Sequence, residues 1–199
     1  PYKWTKKYGT MIALNRREVL CCNVQIGGEE ELKILASMIR VYQKPVHLTF
    51  NSLYYLPEQY PLIGQIISNC LEMGFRSYII ADPALILYLH EQGINCEIHL
   101  SGELGEMNSS VAETFAEMKL KRIIFHRKNS TADMQAVIEA VERNQCSKAG
   151  QMEYEAFALN ELCQFSGSFC NSLHCDELGH LCRVPYWMGE VSDKQRKRH

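Results

Sequence analysis

Short apolar runs alternate with amphipathic helical stretches along most of this chain. The first clear helix covers residues 27–43, and its apolar face contains Leu32, Leu35, Ile39 and Val41. After it come five runs with the composition and period of strands. They are PVHLTF at 45–50, SYIIAD at 77–82, CEIHLSG at 96–102, RIIFHR at 122–127 and QMEYEAFAL at 151–159.

Helical patterns lie between these runs, and proline and glycine mark several of their ends. They run from Pro57 to the residue before Gly74, from Pro83 to about Gln92, over 109–119, and from Thr131 to about Arg143. Upstream, VLCCNVQI at 19–26 is either a strand or an irregular segment at the rim. Parallel strands need crossover connections, so strand–helix alternation with short loops predicts an α/β fold with a parallel sheet.

The predicted architecture is a TIM-barrel-like (β/α) repeat. A complete barrel normally needs about 250 residues, whereas this chain has 199. We therefore expect a barrel that is incomplete or truncated at its N-terminus. We assign residues 1–160 to the barrel-like domain, 161–190 to a cysteine-rich cluster-binding segment of the same domain, and 191–199 to a disordered basic tail.

Composition narrows the functional classes. The net charge is −2, and the body of the chain has no basic cluster of the kind that binds nucleic acid. The charge of the chain therefore does not require a nucleic-acid partner. The basic run DKQRKRH is interpreted as a solvated tail rather than an RNA-binding arm. No apolar run approaches the ~18 residues of a membrane helix, so we expect no membrane partner. The first residues are polar and basic, unlike a signal peptide. The chain begins at Pro1 rather than at a methionine, so we expect a fragment or a processed form.

Four cysteines lie within twenty residues near the C-terminus: Cys163, Cys170, Cys175 and Cys182. Four thiolates can close the coordination sphere of Zn²⁺ or of a [4Fe–4S] cluster. The spacing is neither that of paired zinc-ribbon knuckles nor that of a bacterial ferredoxin. His174 and His180 leave a mixed cysteine/histidine zinc site open as an alternative.

The other cysteines are interpreted differently. The total of nine is odd, which argues against a complete disulfide framework and favours a reducing cytoplasm. Cys70 and Cys96 lie in apolar patterns and are expected to be small buried hydrophobic residues. Cys21 or Cys22 could replace one of the four C-terminal ligands.

In parallel α/β folds the ligand site lies at the carboxyl ends of the strands. That rule nominates His47, Asn51, Asp82, His99, Ser101, Glu103, His126, Arg127, Glu155 and Asn160. We select His99, His126, Arg127 and Glu155 as the candidate catalytic residues. Each has a structural alternative: His99 can be a hydrogen-bonded core histidine, and Arg127 can cap a loop.

The stretch MEYEAFALNELCQFSGSFCNSLHC resembles the signature of the collagenase-like peptidases, peptidase family U32. Glu155 and Phe157 match the family's strand, and Cys163 and Cys170 keep its seven-residue step. CRVPYW, which begins at Cys182, resembles a later family segment. Asn160-Glu161 stands where the family usually has Gly-Ala. The resemblance covers roughly residues 27–187.

The resemblance implies a TIM-barrel-like fold, and it implies two different functions. The family name comes from reported proteolysis, whereas better-understood members are iron–sulfur proteins that support oxygen-independent hydroxylation of RNA bases or of an aromatic small molecule. This chain has no nucleophile-elbow serine and no HExxH motif, which favours the iron–sulfur function. The barrel-mouth histidines and Arg127 would then orient an RNA or small-molecule substrate.

Two alternatives stay open. The first is a collagenase-like peptidase. The second is a non-catalytic, zinc-binding subunit whose incomplete barrel is completed by a second protein, because unpaired strand edges must be covered.

Overall fold

Parallel strands and helices alternate along the part of the chain that the computed structural model describes, residues 14–15, 28–145 and 152–159. The helices are α1 (Glu29–Tyr42), α2 (Tyr60–Met73), α3 (Pro83–Glu91), α4 (Ser109–Ala116) and α5 (Thr131–Gln145). The strands are β1 (His47–Phe50), β2 (Ser77–Ile80), β3 (Glu97–Leu100), β4 (Arg122–Ile124) and β5 (Glu153–Glu155). Short 3₁₀ turns lie at Pro57–Gln59 and Gly102–Leu104. Among these residues, no helix combines the length and the apolar character that a membrane crossing requires.

The five strands form one sheet in the order β1-β2-β3-β4-β5, and every pairing is parallel. Crossovers in such a sheet share one hand, so an unreversed strand order places the helices on one face. In agreement, α1 contacts α2, α2 contacts α3, and α4 contacts α5. A doubly wound fold would reverse its strand order instead. The predicted parallel α/β fold is confirmed.

The core lies between the sheet and the helices. The side chains of β1 to β4 that face the helices are all buried: Leu48, Phe50, Tyr78, Ile80, Ile98, Leu100 and Ile123. Ile63, Ile67, Leu85, Ile86 and Leu89 cover them from α2 and α3. Each such side chain contributes about 1.5–3 kcal/mol when it is fully buried. This apolar layer fixes how the helices sit on the sheet.

Local signals set the helix ends much as predicted. Gly74 ends α2 with φ 106°, a left-handed conformation that glycine adopts without strain. Asp82 and Pro83 start α3, where the carboxylate of Asp82 accepts a hydrogen bond from the backbone N–H of Ala84 at 2.9 Å. The strands are shorter than predicted, since β4 and β5 have three residues each. A strand ends where its hydrogen bonds to the neighbouring strand end. The local sequence does not show where this happens.

The sequence pattern places Val41 on the same apolar face of α1 as Leu32, but Val41 does not share the burial of that residue. Leu32 and Ala36 are buried, whereas Val41 is 75% exposed. Residues 19–26, the cysteine-rich segment 161–190 and the tail 191–199 lie outside the described residues.

Gly102 allows the ends of β3 and β4 to approach closely. A Cβ atom at this position would lie 2.7 Å from the carbonyl oxygen of Phe125 and 2.9 Å from that of Ile124. Both contacts are with backbone, which cannot move aside without shifting the strand. The loop after β3 can therefore pack against β4 only because residue 102 has no side chain.

We expect Gly102→Ala to destabilise the protein by about 1–3 kcal/mol, because the added methyl group overpacks a backbone contact. The free energy of unfolding in urea measures the effect. Gly64→Ala in α2 is the matched control, since its Cβ would meet the side-chain ends of Tyr88 at 3.0 Å and Ile94 at 3.1 Å. In a helix, alanine also gains about 1 kcal/mol over glycine, so the control should lose less. Equal stability of Gly102→Ala and the wild type would contradict the close-packing argument.

Candidate functional site

Polar side chains occupy the face of the sheet that points away from the helices. Side chains alternate between the two faces of a strand, and the hydroxyl of Tyr78 donates to the carbonyl of Ile67 in α2, which identifies the helix-facing set. Register pairing extends this assignment to the other strands. The opposite set, which we call the polar face, contains His47, Ser77, Glu97, His99, Arg122, Glu153 and Glu155, and Thr49, Ile79 and Ile124 lie on the same side.

His99 is the most deeply buried member of the polar face, with 0% of its surface exposed. Its Nε2 lies 2.8 Å from Oε1 of Glu97, two residues earlier on the same strand. Within the described part of the chain, its Nδ1 has no hydrogen-bond partner. Burial lowers the pKa of His99, and the hydrogen bond to Glu97 opposes this only in part. His99 is thus a neutral, buried imidazole at neutral pH.

His47 covers the His99 ring and joins β1 to β2. The two ring centroids are 4.5 Å apart and the planes are tilted by 55°. Nδ1 of His47 lies 2.5 Å from the hydroxyl of Ser77. A serine–histidine contact of this kind could be a nucleophile–base pair. Both residues begin their strands, however, at the end of the sheet opposite to the usual catalytic edge, so the contact is better explained as a strand-to-strand tie.

Arg122 organises the end of the sheet formed by β4 and β5. Its Nε and Nη2 donate to Oε2 of Glu153 at 3.0 and 2.7 Å, and its Nη1 donates to Glu155 at 2.8 Å. Lys121 adds a contact of 2.9 Å to the other oxygen of Glu153. Together Lys121 and Arg122 lower the pKa of Glu153 to about 2. These four residues, with Met152 and Tyr154, line a cavity of about 590 Å³.

The loops after β3 and β4 lie at the carboxyl edge and are fastened to each other. Arg127 donates to Glu103 at 2.8 Å. The side chain of Asn129, which is buried, accepts from the backbone N–H of Met107 at 3.2 Å and donates to its carbonyl at 3.0 Å. His126 is buried, and its Nδ1 accepts from the backbone N–H of Lys128 at 3.3 Å. We call these two loops, residues 101–108 and 125–130, the rim.

Asp82, another residue nominated by its strand-end position, has a structural role. It is buried, and besides capping α3 it accepts hydrogen bonds from the backbone N–H of Tyr55 at 3.2 Å and the hydroxyl of Tyr60 at 2.9 Å. Burial, together with the bond to Asp82, raises the pKa of Tyr60 to about 12. The carboxylate is surrounded by donors from three segments.

The four candidate catalytic residues fall into two groups. His99 and Glu155 belong to the polar face, where Arg122 is the register partner of His99 and binds Glu155. His126 and Arg127 belong to the rim. The sequence interpretation overlooked Arg122 and Glu153. The period-2 spacing of Glu153 and Glu155, next to a strand that begins Lys121-Arg122, is the signal that could have identified them.

The described cysteines are unlike metal ligands. Cys70 is buried in α2, and burial raises the pKa of the half-buried Cys96 to about 11, so this group stays a thiol at neutral pH. Over residues 14–15, 28–145 and 152–159, no group of three or more histidine, cysteine, aspartate or glutamate side chains could hold a metal ion. Cys163, Cys170, Cys175, Cys182 and Asn160 lie outside these ranges.

Comparisons with known proteins agree on one family. The model of peptidase family U32 matches residues 21–199. The tRNA hydroxylation protein P of Escherichia coli (strain K12) is 30% identical over 100 residues, which are 50% of this chain and 20% of that protein. The matched half of the chain therefore spans about a fifth of the length of this curated relative.

The solved structure of the U32 peptidase Mk0906 has a similar fold. The TM-score is 0.52 at 14% identity, and the match covers 66% of this chain and 53% of that chain. A sequence identity of 14% supports a similar fold but no shared function.

We expect Asp82→Ala to cost at least about 2 kcal/mol, because it removes a helix cap and leaves buried donors without an acceptor. Asn108→Ala is the control. Asn108 caps α4 by accepting from Val111 at 3.0 Å on an exposed surface, and its loss should cost only about 1 kcal/mol. Urea unfolding gives both values, and equal losses would contradict the structural role of Asp82.

We also expect acid to weaken the protein through His99. Its folded-state pKa lies below the 6.5 of the unfolded chain, so its contribution to stability is complete above pH 6.5 and is lost as the pH falls below that value. The urea midpoint of the wild type should therefore fall more between about pH 8 and about pH 5.5 than that of His99→Gln. His90→Gln, at an exposed position in α3, should behave like the wild type. An unchanged pH dependence in His99→Gln would refute the assignment.

Proposed function

Because this chain belongs to peptidase family U32, we propose that it is an iron–sulfur protein that supports oxygen-independent hydroxylation of an RNA base, with an aromatic small molecule as the alternative substrate. One observation carries the proposal: four cysteines lie within twenty residues inside the family match. The similarity to tRNA hydroxylation protein P over 100 residues supports RNA as the substrate class.

The donor set fits the proposed cofactor. Cys163, Cys170, Cys175 and Cys182 offer four soft thiolates, the ligand type that iron–sulfur clusters use. The cluster would supply the electron-transfer chemistry, which protein side chains lack. The described cysteines are unsuited to this role, because Cys70 is in the core and Cys96 remains a thiol.

The rim is the proposed substrate-binding edge. Arg127 is half-buried and is held by Glu103, so its planar guanidinium has a defined position. A guanidinium plane can stack on a base or bind an anionic group through two hydrogen bonds. The two hydrogen bonds of Asn129 to Met107 join the same two loops, which keeps Arg127 and His126 at one edge.

We further propose that the five-stranded sheet is part of a (β/α) barrel. Its strand order without reversal is the order of successive barrel units. The polar face would then line the barrel interior, and His99, Arg122 and Glu155 would be inward-pointing residues. Segments outside the described ranges, or a second protein subunit, would supply the remaining strands.

We expect the chain, purified and reconstituted without oxygen, to bind about four iron and four sulfide per molecule. Cys163→Ser should lose most of this iron together with its broad visible absorption band, because serine is a poor ligand for the cluster. Cys96→Ser is the matched control and should retain the wild-type iron content. Iron, sulfide and zinc are measured on the same samples, with circular dichroism as the check on folding.

Two results would overturn the assignment. Stoichiometric zinc without sulfide would favour the non-catalytic, zinc-binding subunit. A peptidase is the second candidate because the family description names one, and gelatin cleavage that is lost in both Cys163→Ser and His126→Ala would favour it. The RNA substrate is tested by nucleoside mass spectrometry of RNA from cells that produce the chain, because the cell supplies the oxygen donor and the two-electron acceptor. The wild-type chain should increase the fraction of a base carrying one added oxygen atom, and Cys163→Ser should not.

A further inference from the structure

Helix α1 has two apolar faces. Leu32 and Ala36 are buried against the core, as expected for a helix that packs on a sheet. A second apolar set, which we call the α1 stripe, faces away from the core. Ile34 is 61% exposed, Met38 49%, Val41 75% and Tyr42 65%. Over the residues that the structure describes, none of these four side chains belongs to the core cluster.

The spacing makes these four side chains one continuous surface. At 3.6 residues per turn, Ile34, Met38 and Val41 fall within about 60° of one another around the helix, and Tyr42 extends the same side. The outer face of a solvated helix is normally polar. Contiguous exposed apolar surface rimmed by charged residues marks an interaction site more often than a scatter of single side chains does.

The charges at the two ends of α1 indicate which partner would bind to the α1 stripe. The first turn holds Glu29, Glu30 and Glu31, and the last turn holds Arg40. Lys44 follows just beyond the helix, after the left-handed residue Gln43. A second copy of α1 lying antiparallel brings acidic first turn beside basic last turn at both ends. It also pairs the two helix dipoles favourably. A parallel copy would instead place glutamates against glutamates.

We propose that the α1 stripe is a homodimer interface, in which α1 helices of two copies of this chain pack antiparallel about a twofold axis near Met38. In this arrangement Ile34 of one copy lies against Val41 and Tyr42 of the other, and Met38 meets its own symmetry mate. Glu30 faces Lys44 at both ends. Such an isologous contact uses the same patch twice and closes on itself, so it gives a dimer rather than a fibre.

The size of the α1 stripe limits the affinity of the proposed dimer. A 14-residue helix is about 21 Å long. One helix of this length buries less than the ~800 Å² per partner of a standard stable interface. The dimer should therefore be weak, with a dissociation constant in the micromolar range or higher, and it should form reversibly with concentration. The inference rests on α1 alone and is independent of the proposed function.

Sedimentation equilibrium of the full 199-residue chain over a concentration series tests the proposal. We expect a monomer–dimer equilibrium that shifts at least tenfold toward monomer in Met38→Glu. Leu87→Glu is the matched control, because Leu87 is an exposed apolar residue of similar exposure on α3, 48% against 49%. It should dimerise like the wild type. Circular dichroism verifies that each variant is folded.

Charge reversal tests the antiparallel geometry separately. Glu30→Lys and Lys44→Glu should each weaken the dimer several-fold, and the double variant should restore it, because the pair is then reversed at both ends. A chain that stays monomeric at millimolar concentration would overturn the proposal, and would leave the stripe to another segment of a longer protein or to a different partner. Dimers that tolerate Met38→Glu would also overturn it, since they must form through another surface.

Discussion

Parallel pairing of five consecutive strands is the constraint from which the other features of this structure follow. Each pairing requires a crossover, and the unreversed strand order places the crossovers on one face. That face becomes the apolar core under α2 and α3. The other face carries mostly polar residues, together with Ile79 and Ile124. All loops that follow the strands meet at one edge. The rim and the polar face are therefore consequences of topology before any individual side chain is considered.

The polar face combines a fully buried histidine with carboxylates that stay partly exposed. Arg122 binds Glu153 and Glu155 and is the register partner of His99, so it connects β3, β4 and β5. His99 remains neutral through burial, whereas Glu153 remains ionised through Lys121 and Arg122. Their surroundings thus hold both groups in the deprotonated form, which is neutral for His99 and negatively charged for Glu153. Acid–base chemistry and structural ion networks share this condition.

The functional argument and the assembly argument draw on different parts of the fold. Hydroxylation chemistry would depend on the cysteine segment that follows β5 and on the rim at the carboxyl edge. Dimerisation would depend on the outer side of α1, which is the first helix of the described row. The acidic first turn and basic last turn of α1 suit an antiparallel second copy at this position.

The sequence by itself determined the elements. Apolar period, Asp82-Pro83 and Gly74 mark the helices and strands, because capping and periodicity are local properties of the chain. The family resemblance carried by Glu155, Cys163 and Cys170 was also visible there, and the family match bears it out. Only the tertiary structure decided that Arg122 links His99 to Glu155, that Asp82 caps a helix, and that Val41 is exposed. Those facts depend on strand register and on which helix face meets the core, and both are set by contacts between residues far apart in sequence.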